Sequence, residues 1–316
     1  MRIETTAWVE SPLQLLGALE HAALERAAFR GTDGLTIIPR SGDAQLEHAA
    51  TQLAERAARD GEVKARIMLD RRVMPWGVFA TGTPWLVGDA YSGQVQARLD
   101  RAEPSVLTLV DDGAITRLLA EQLNAGAPLM RPRAPRLMRT MRRELAARTT
   151  RRLLALAAEG RLAVTTFLPQ SDPAVTRLSV LGAIVTTHRF DFTRRWGERA
   201  VAVPADARIV LGTARVADGL EDPSVALERI VRLARSAAVA YLPHRREPAW
   251  FLRAAGRLRD VVVVAPRHPV ELALAGTARP LDVVTSVSTA SETLPIVLRN
   301  TGSTIRLEPV GQGVGS

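Results

Sequence analysis

A short apolar run, Arg208-Ile209-Val210-Leu211-Gly212, predicts a strand that ends at a glycine. A helical segment, Ser224–Arg235, follows it, and a second apolar strand, Ala238–Leu242, comes next. Apolar strands that alternate with helices, without the polar–apolar pattern of a strand with one wet face, are typical of a parallel sheet covered on both sides. The run therefore opens an α/β unit late in the chain.

The first half of the chain shows the same alternation and predicts a unit of its own. Its apolar strands are predicted at Ile3–Val9, Leu35–Pro39, Val63–Leu69, Trp85–Gly88 and Val106–Val110. Residues 161–204 are predicted to be strand and loop, and further strands are predicted at Ile296–Leu298 and Thr304–Leu307. Two successive Rossmann-like halves predict an α/β protein with domains 1–205 and 206–316, whose parallel sheets face a central cleft.

Composition excludes several classes of protein. With 316 residues, of which 47% are hydrophobic, the chain is long enough for two domains and too apolar to be disordered. It has no cysteine, which excludes disulfides and thiolate metal sites. No apolar run reaches the length of a membrane span, and the first residues lack the pattern of a signal peptide. A cytoplasmic location is therefore predicted.

Basic charge is concentrated in one segment. The formal net charge is +9, and the segment Arg131–Arg152 contains nine arginines against the single acid Glu144. Such a block attracts phosphates, carboxylated polymers or an anionic membrane surface, and the last of these would hold the protein at the inner face of the membrane. The alternative is a solvated helix face that carries arginine through codon bias.

Asp111-Asp112-Gly113 follows a predicted strand and is the first candidate for chemistry. Successive side chains of a strand point to opposite faces, so only one of the two carboxylates is expected to face a ligand. This favours a single general base, Asp111 or Asp112, over a two-carboxylate metal clamp, and Gly113 would allow a tight turn. An ordinary turn, in which Asp and Gly are common, is the alternative.

His244 lies at the end of a predicted strand, followed by Arg245 and Arg246. Neighbouring arginines disfavour the charged imidazole unless an anion is bound. A nucleotide phosphate would supply that anion and let the histidine act as an acid to a leaving phosphate. A capping or surface histidine is the alternative, and His268 is a competitor at another strand end.

Hydroxyl groups cluster where a later helix is predicted to begin, at Ser286, Ser288, Thr289 and Ser291. The free N–H groups and the positive dipole end of a helix N-terminus, together with short hydroxyl side chains, can hold a phosphate. Ordinary helix capping is the alternative.

In order and as a set, these motifs resemble those of bacterial sialyltransferases of the polysialyltransferase and lipooligosaccharide sialyltransferase type. The matching segments are Glu10-Ser11-Pro12-Leu13-Gln14, Asp111-Asp112-Gly113, Ile209-Val210-Leu211-Gly212, Pro243-His244-Arg245-Arg246-Glu247, Pro269-Val270-Glu271 and Ser288-Thr289-Ala290. Arg245 stands where the family has a proline. Spacing selects His244 rather than His268 as the motif histidine, because His244 precedes Glu271 by 27 positions and leaves room for the elements between them.

The resemblance implies a GT-B fold and a metal-independent, inverting transfer of sialic acid, or a related nonulosonic acid, from a CMP-activated donor to a hydroxyl of a glycan or an acidic polysaccharide. It makes Asp111 the base, brings His244 to the leaving phosphate, and has Glu271 accept hydrogen bonds from the ribose. The other predicted substrate contacts are Ser11, Gln14, Asp112, Gly113, Gly212, Arg245, Ser288 and Thr289. The N-terminal domain would carry the base on the acceptor side, and the C-terminal domain would bind the nucleotide sugar. No metal or other cofactor is expected.

Two other functions stay open. The first is a glycosyltransferase that uses a different nucleotide sugar, which is the same class of enzyme. The second is a basic, non-enzymatic protein that binds nucleic acid or another polyanion. The chain has 5 Trp, 2 Tyr and 6 Phe and no recognisable nucleic-acid-binding module, which speaks against specific binding of nucleic acid.

Overall fold

The computed structural model describes residues 3–28, 32–40, 42–60, 65–69, 73–110, 114–131, 139–197, 204, 206–265 and 268–308. The chain divides into two compact units, Met1–Phe192 and Thr193–Ser316. This division falls inside the helix Asp191–Trp196, earlier in the chain than the division at 205 and 206 that the sequence suggests. Each unit is a Rossmann-like α/β domain, so the predicted fold class is confirmed.

Unit 1 is built around a seven-stranded sheet in which every described strand pair is parallel. Its strands are β1 Ile3–Val9, β2 Thr32–Pro39, β3 Ala65–Ile67, β4 Trp85–Val87, β5 Leu107–Val110, β6 Leu162–Thr166 and β7 Ile184–Thr187. Its helices are α1 Pro12–Ala27, α2 Ala44–Asp60, α3 Gly93–Arg101, α4 Ala114–Asn124, α5 Arg139–Ala158 and α6 Pro173–Val180, and α7 Asp191–Trp196 begins in it. The strands lie in the order β3-β2-β1-β4-β5-β6-β7.

Unit 2 is built around a five-stranded parallel sheet with the order β10-β9-β8-β11-β12. Its strands are β8 Arg208–Leu211, β9 Val239–Leu242, β10 Val261–Val263, β11 Asp282–Thr285 and β12 Thr304–Leu307. Its helices are α8 Pro223–Ala234, α9 Ala249–Ala255, α10 Val270–Ala275 and α11 Thr289–Val297. Among the described residues of the whole chain, no helix has the length and apolar character needed to cross a membrane.

One predicted strand is wrong. Residues 296 and 297 belong to α11 and Leu298 caps that helix, although their apolar side chains resemble a short strand. Leu294, Val297 and Leu298 are all buried, and their spacing of three and four residues is that of one helix face. Pro295 does not end the helix.

Each sheet is covered by side chains that its own helices supply. In unit 1, Trp8 and Leu86 on the strands and Leu16 on α1 are fully shielded from solvent. In unit 2, Tyr241 on β9 packs with Phe251 on α9 in a common cluster. Burial of each such side chain stabilises the fold by about 1.5–3 kcal/mol, and the parallel sheets therefore need helices on both faces.

The order of the strands sets where ligands bind. In unit 1 successive strands are added outward in one direction from β1 and in the other direction from β4. In unit 2 the same change in the direction of strand order occurs between β8 and β11. In open parallel sheets the crevice for a ligand lies beyond the carboxyl ends of the strands at such a reversal. The loops after these four strands therefore lie where a ligand of each sheet is expected.

Candidate functional site

Gly212 follows β8, at the middle of the unit 2 sheet, and its lack of a side chain is required. A Cβ placed there would lie 2.3 Å from Glu247 Oε2 and 2.6 Å from the backbone nitrogen of His244. No side chain fits at those distances. The predicted residues Gly212 and His244 are therefore brought together, because β8 and β9 are neighbours.

His244 lies just beyond β9, is half-buried, and holds a defined ring tautomer. Its Nδ1 accepts a hydrogen bond from the backbone N–H of Arg246 at 3.2 Å, so the proton of the neutral ring is on Nε2. Burial lowers the pKa of His244, and Arg246 and Arg245 lower it further, against a smaller opposite effect of Asp218. The ligand-free protein therefore presents a neutral imidazole whose Nε2–H is a donor.

The two arginines after His244 differ in their surroundings. Arg246 makes a two-pronged ion pair with Asp218, at 2.7 and 2.9 Å, which ties the turn after β9 to the loop after β8. Arg245 is exposed to solvent. Arg246 is exposed as well, and its ion pair with Asp218 holds it in place.

The loop between β11 and α11 carries the hydroxyl groups. Ser288 is the N-cap of α11, and Thr289 is its first residue. The Ser288 N–H donates to Ser291 Oγ at 3.2 Å, so the Ser291 side chain is part of the capping box at the start of α11. Ser286 is different, because only 7% of it is exposed and its Oγ is buried without a hydrogen-bond partner. An unpaired buried hydroxyl beside a helix N-terminus is the kind of group that a bound anion would satisfy.

Glu271 lies in the first turn of α10 and is buried, with 6% of the residue exposed. Its Oε1 accepts a hydrogen bond from Thr293 Oγ1 at 2.7 Å. Burial raises the pKa of Glu271, and the Thr293 hydroxyl opposes that rise. His268, the competing histidine, is 3% exposed and is therefore less accessible than His244.

In unit 1, Ser11 and Gln14 organise the start of α1. Ser11 is its N-cap and accepts from the Gln14 N–H at 3.3 Å. Gln14 is 1% exposed, and its Oε1 accepts from the Glu10 N–H at 2.7 Å. A Cβ on Gly88, after β4, would lie 2.1 Å from that oxygen, so Gln14 packs across the carboxyl ends of β1 and β4.

Asp111, Asp112 and Gly113 lie outside the described residues, which end at Val110 on β5 and resume at Ala114. A cavity of about 20 Å³ lies beside this gap, lined by Gly88, Ala90, Tyr91, Leu109, Val110, Ile115, Thr116, Leu119 and Val164. It has room for about one water molecule. The cavity is therefore too small to be a sugar site by itself.

Sequence reasoning missed two carboxylates, the half-buried Asp89 and the buried Glu247. Asp89, after β4, accepts from the Tyr91 N–H at 2.8 Å and pairs with Arg131 at 2.9 Å, and burial raises its pKa in spite of Arg131. Glu247 holds the ends of β8 and β9. The position of Asp89 directly after a predicted strand was an available signal, and Glu247 stood in a quoted motif without being given a role.

No metal-binding cluster is found in the described part of the chain, where no group of three or more His, Asp or Glu side chains converges. The block Arg131–Arg152 is partly neutralised. Arg148 pairs with Asp100 at 2.6 Å and Arg152 with Glu103 at 2.7 Å, so α5 is tied to α3 and the loop after it. Arg143 and Arg151 are exposed.

No protein-family model and no curated protein matches the chain. Solved structures do match. One is a protein from Listeria monocytogenes named as a UDP-N-acetylglucosamine 2-epimerase, with a TM-score of 0.53 and 13% identity, over 97% of this chain and 79% of that one. Others are a UGT transferase from Siraitia grosvenorii in complex with UDP (TM-score 0.46, 12% identity, 97% and 82% covered) and UGT2 of Phytolacca americana complexed with UDP-2-fluoro-glucose and pterostilbene (0.43, 12%, 98% and 81%). At such identities the likeness concerns the fold, which is GT-B-like: two Rossmann-like α/β domains.

Proposed function

We propose that this protein is a glycosyltransferase that moves sialic acid, or a related nonulosonic acid, from a CMP-activated donor to a hydroxyl of a glycan or an acidic polysaccharide. The observation that carries the proposal is the set of anion-binding groups at the carboxyl edge of the unit 2 sheet. His244 stands at the end of β9, Gly212 at the end of β8, and Ser286, Ser288 and Thr289 follow β11. The GT-B-like fold supports the class of enzyme.

These groups suit a donor with one phosphate. The ends of β9 and β11 lie on either side of β8, roughly 10 Å apart, a span that a nucleotide covers. The N–H groups of the first turn of α11 and the Ser286 hydroxyl would bind the phosphate oxygens from one side. The Nε2–H of His244 and Arg245 would approach from the other. The N–H and hydroxyl donors, Arg245 and a His244 that becomes charged when the phosphate binds would offset the phosphate charge of CMP without a divalent cation, and we therefore propose a metal-independent reaction.

The proposed transfer is an inverting displacement. The acceptor oxygen forms a bond to the anomeric carbon of the donor sugar while the bond from that carbon to the phosphate oxygen breaks. Asp111, assigned by the resemblance, takes the proton of the acceptor hydroxyl. His244 becomes charged when the phosphate binds, by gaining a proton on Nδ1 in place of the hydrogen bond from the Arg246 N–H, and it donates its Nε2 proton to the phosphate oxygen that leaves with CMP. General acid–base assistance of this kind contributes about 10²–10⁴-fold to a rate. Ser11, Gln14, Asp112 and Gly113 are proposed to line the acceptor side.

Glu271 is proposed to bind the ribose, and the structure limits how it does so. Its Oε1 is occupied by Thr293, so hydrogen bonds from ribose hydroxyls would fall on Oε2 or would displace the Thr293 hydroxyl. In either case Glu271 acts by accepting hydrogen bonds and takes no part in proton transfer.

One surface completes the proposal. Arg143 and Arg151, which are exposed on α5, would attract an acidic acceptor or the anionic inner face of a membrane. Specific binding of nucleic acid is not expected. A different nucleotide-sugar donor and a non-enzymatic polyanion-binding role remain the alternatives.

The decisive experiment measures release of CMP or UDP from a panel of CMP- and UDP-sugars, with and without EDTA. Release of CMP from a CMP-nonulosonic acid, unchanged by EDTA, is the expected result. If only UDP is released, and only with metal present, the donor is a UDP-sugar and not a CMP-sugar. His244→Ala should abolish transfer, and His268→Ala, a histidine change in the same unit, is the matched control. Loss with His268→Ala alone would overturn the assignment of His244. Tight, sequence-selective binding of DNA without any release would overturn the enzyme class.

A further inference from the structure

Glu247 is a buried carboxylate that holds together the ends of two neighbouring strands. Only 8% of it is exposed. Its Oε1 accepts a hydrogen bond from Tyr241 Oη at 2.5 Å, and its Oε2 accepts from the backbone N–H of His244 at 2.9 Å. Both oxygens are therefore engaged, one by β9 and the other by the loop that follows it.

The same carboxylate also reaches the end of β8. The backbone N–H of Thr213 donates to it, and Gly212 faces its Oε2 so closely that a Cβ would lie 2.3 Å away. Glu247 thus receives donors from two strand ends that are consecutive in the sheet but far apart along the chain. Without it, these buried N–H groups would have no anionic acceptor, and the loops after β8 and β9 would be free to separate.

The hydrogen bonds around Glu247 are all of one kind. The Tyr241 hydroxyl and the two N–H groups of Thr213 and His244 are donors, so the ionised carboxylate satisfies every one of them. Burial raises the pKa of Glu247, while these donors and Arg229 oppose the rise. A glutamine at this position could keep the backbone N–H groups on its oxygen only by turning its NH₂ toward the Tyr241 hydroxyl, which would then have to accept, and it would remove the negative charge that strengthens all these hydrogen bonds.

The position of His244 depends on this arrangement. Its backbone is held by Glu247 on one side of the residue, and its Nδ1 is held by the Arg246 N–H on the other. Only Nε2 is left to meet a ligand. We propose that Glu247 is a positioning residue, which fixes the backbone of His244 against Gly212 and Thr213 so that the imidazole presents its Nε2–H to the donor phosphate. This inference rests on the proposed function.

The test compares Glu247→Gln with Asp282→Asn. Asp282 is a suitable control because it also joins strands of unit 2, through Arg208 on β8 and Arg306 on β12, and it stands at the opposite, amino-terminal edge of the sheet. Both variants should lose stability. The readouts that distinguish them are the titration of the His244 ring by NMR, assigned with His244→Gln, and the affinity for CMP by calorimetry.

We expect Glu247→Gln to shift the titration midpoint of His244 and to weaken CMP at least tenfold, with neither change in Asp282→Asn. Tyr241→Phe retains the carboxylate and its hydrogen bond from the His244 N–H, so it should leave both readouts close to the wild-type values. If Glu247→Gln does not fold, Glu247→Asp provides the second variant, because it keeps the negative charge but draws the carboxylate away from the His244 N–H, and it should weaken CMP in the same direction.

A folded Glu247→Gln with an unchanged His244 titration and unchanged CMP affinity would overturn the proposal, as would equal losses in Asp282→Asn. The NMR titration needs no ligand. If the wild-type protein binds no CMP, the proposed function fails, and the response of the His244 ring still decides the role of Glu247.

Discussion

Thr293 donates a hydrogen bond to the buried carboxylate of Glu271, with 2.7 Å between Oγ1 and Oε1. The two residues lie on α11 and α10, whose packing places them against each other away from solvent. Because burial raises the pKa of Glu271, this hydrogen bond is a contribution that favours the ionised form. The contact links the stability of unit 2 to a residue of the proposed donor site.

Thr293→Val should lower the free energy of unfolding by about 1–3 kcal/mol, because it leaves a buried carboxylate oxygen without its side-chain donor. Urea denaturation followed by circular dichroism measures the change. Thr304→Val makes the same replacement at an exposed position of β12 and should stay within about 0.5 kcal/mol of wild type. Equal effects of the two substitutions would show that the Thr293 hydroxyl adds nothing specific.

The pH dependence of stability should contain a contribution from Glu271 with a definite sign. Its pKa is raised in the folded protein, so the folded state keeps this proton to a higher pH than the unfolded chain does. That contribution is complete below the unfolded pKa and is lost as the pH rises through the folded pKa. Glu271→Gln does not titrate, so it should lose less stability than wild type does as the pH rises above the ordinary pKa of a glutamate. A steeper loss in the variant would contradict this sign.

Binding of CMP should be accompanied by uptake of a proton at His244. Burial and the two adjacent arginines lower the pKa of this imidazole in the free protein, and a bound phosphate would raise it. Up to about one proton should be taken up near pH 6 to 7. Calorimetry in buffers with different ionisation enthalpies measures it. His244→Gln should abolish the uptake and His268→Gln should retain it, and the opposite pattern would assign the phosphate contact to His268.

Ser286→Ala should separate stability from binding. Its hydroxyl is buried without a partner in the free protein, so removing it should leave stability unchanged or raise it by about 1 kcal/mol. The same change should weaken CMP about tenfold if that hydroxyl binds the phosphate. Ser236→Ala is the contrast, because Ser236 accepts from Arg208 at 2.8 Å and should matter for stability alone. Unchanged CMP affinity in Ser286→Ala would remove Ser286 from the phosphate site.

Much of the fold could be predicted from the sequence, because buried parallel strands are short apolar runs. Val106–Val110 predicted β5, and the restart at Arg208 predicted β8 and the second unit. Residues 161–204 were predicted less well, since β6, α6 and β7 were taken together as strand and loop. β7 is an edge strand whose residues are partly exposed, so it lacks the apolar pattern that marks the central strands. Ile296–Leu298 was assigned wrongly because a buried helix end and a buried strand have the same composition.

The candidate site was predictable only where a residue follows its own strand. Gly212 and His244 were found in this way, and the structure brings them together. The role of Glu247 depends on β8 lying beside β9, and the setting of Asp89 depends on Arg131, which is 42 residues away in the chain. Strand order across a sheet is set by long-range packing and cannot be predicted from a local sequence pattern, so neither setting could be predicted from the sequence. The predicted approach of Asp111 to His244 across a cleft stays a prediction.

The position of β8 in the middle of its sheet has a consequence for synthesis of the protein. β8 is the first strand of unit 2 to be synthesised, and it lies between β9 and β11 in the sheet. Its edge on the β11 side stays unpaired until β11 has been synthesised, more than seventy residues later. Loop closure over such distances is slow, so folding of this half is expected to finish only after the chain has left the ribosome past Thr285. A nascent fragment that stops before Asp282 would therefore expose one edge of β8, which is open to pairing with another chain.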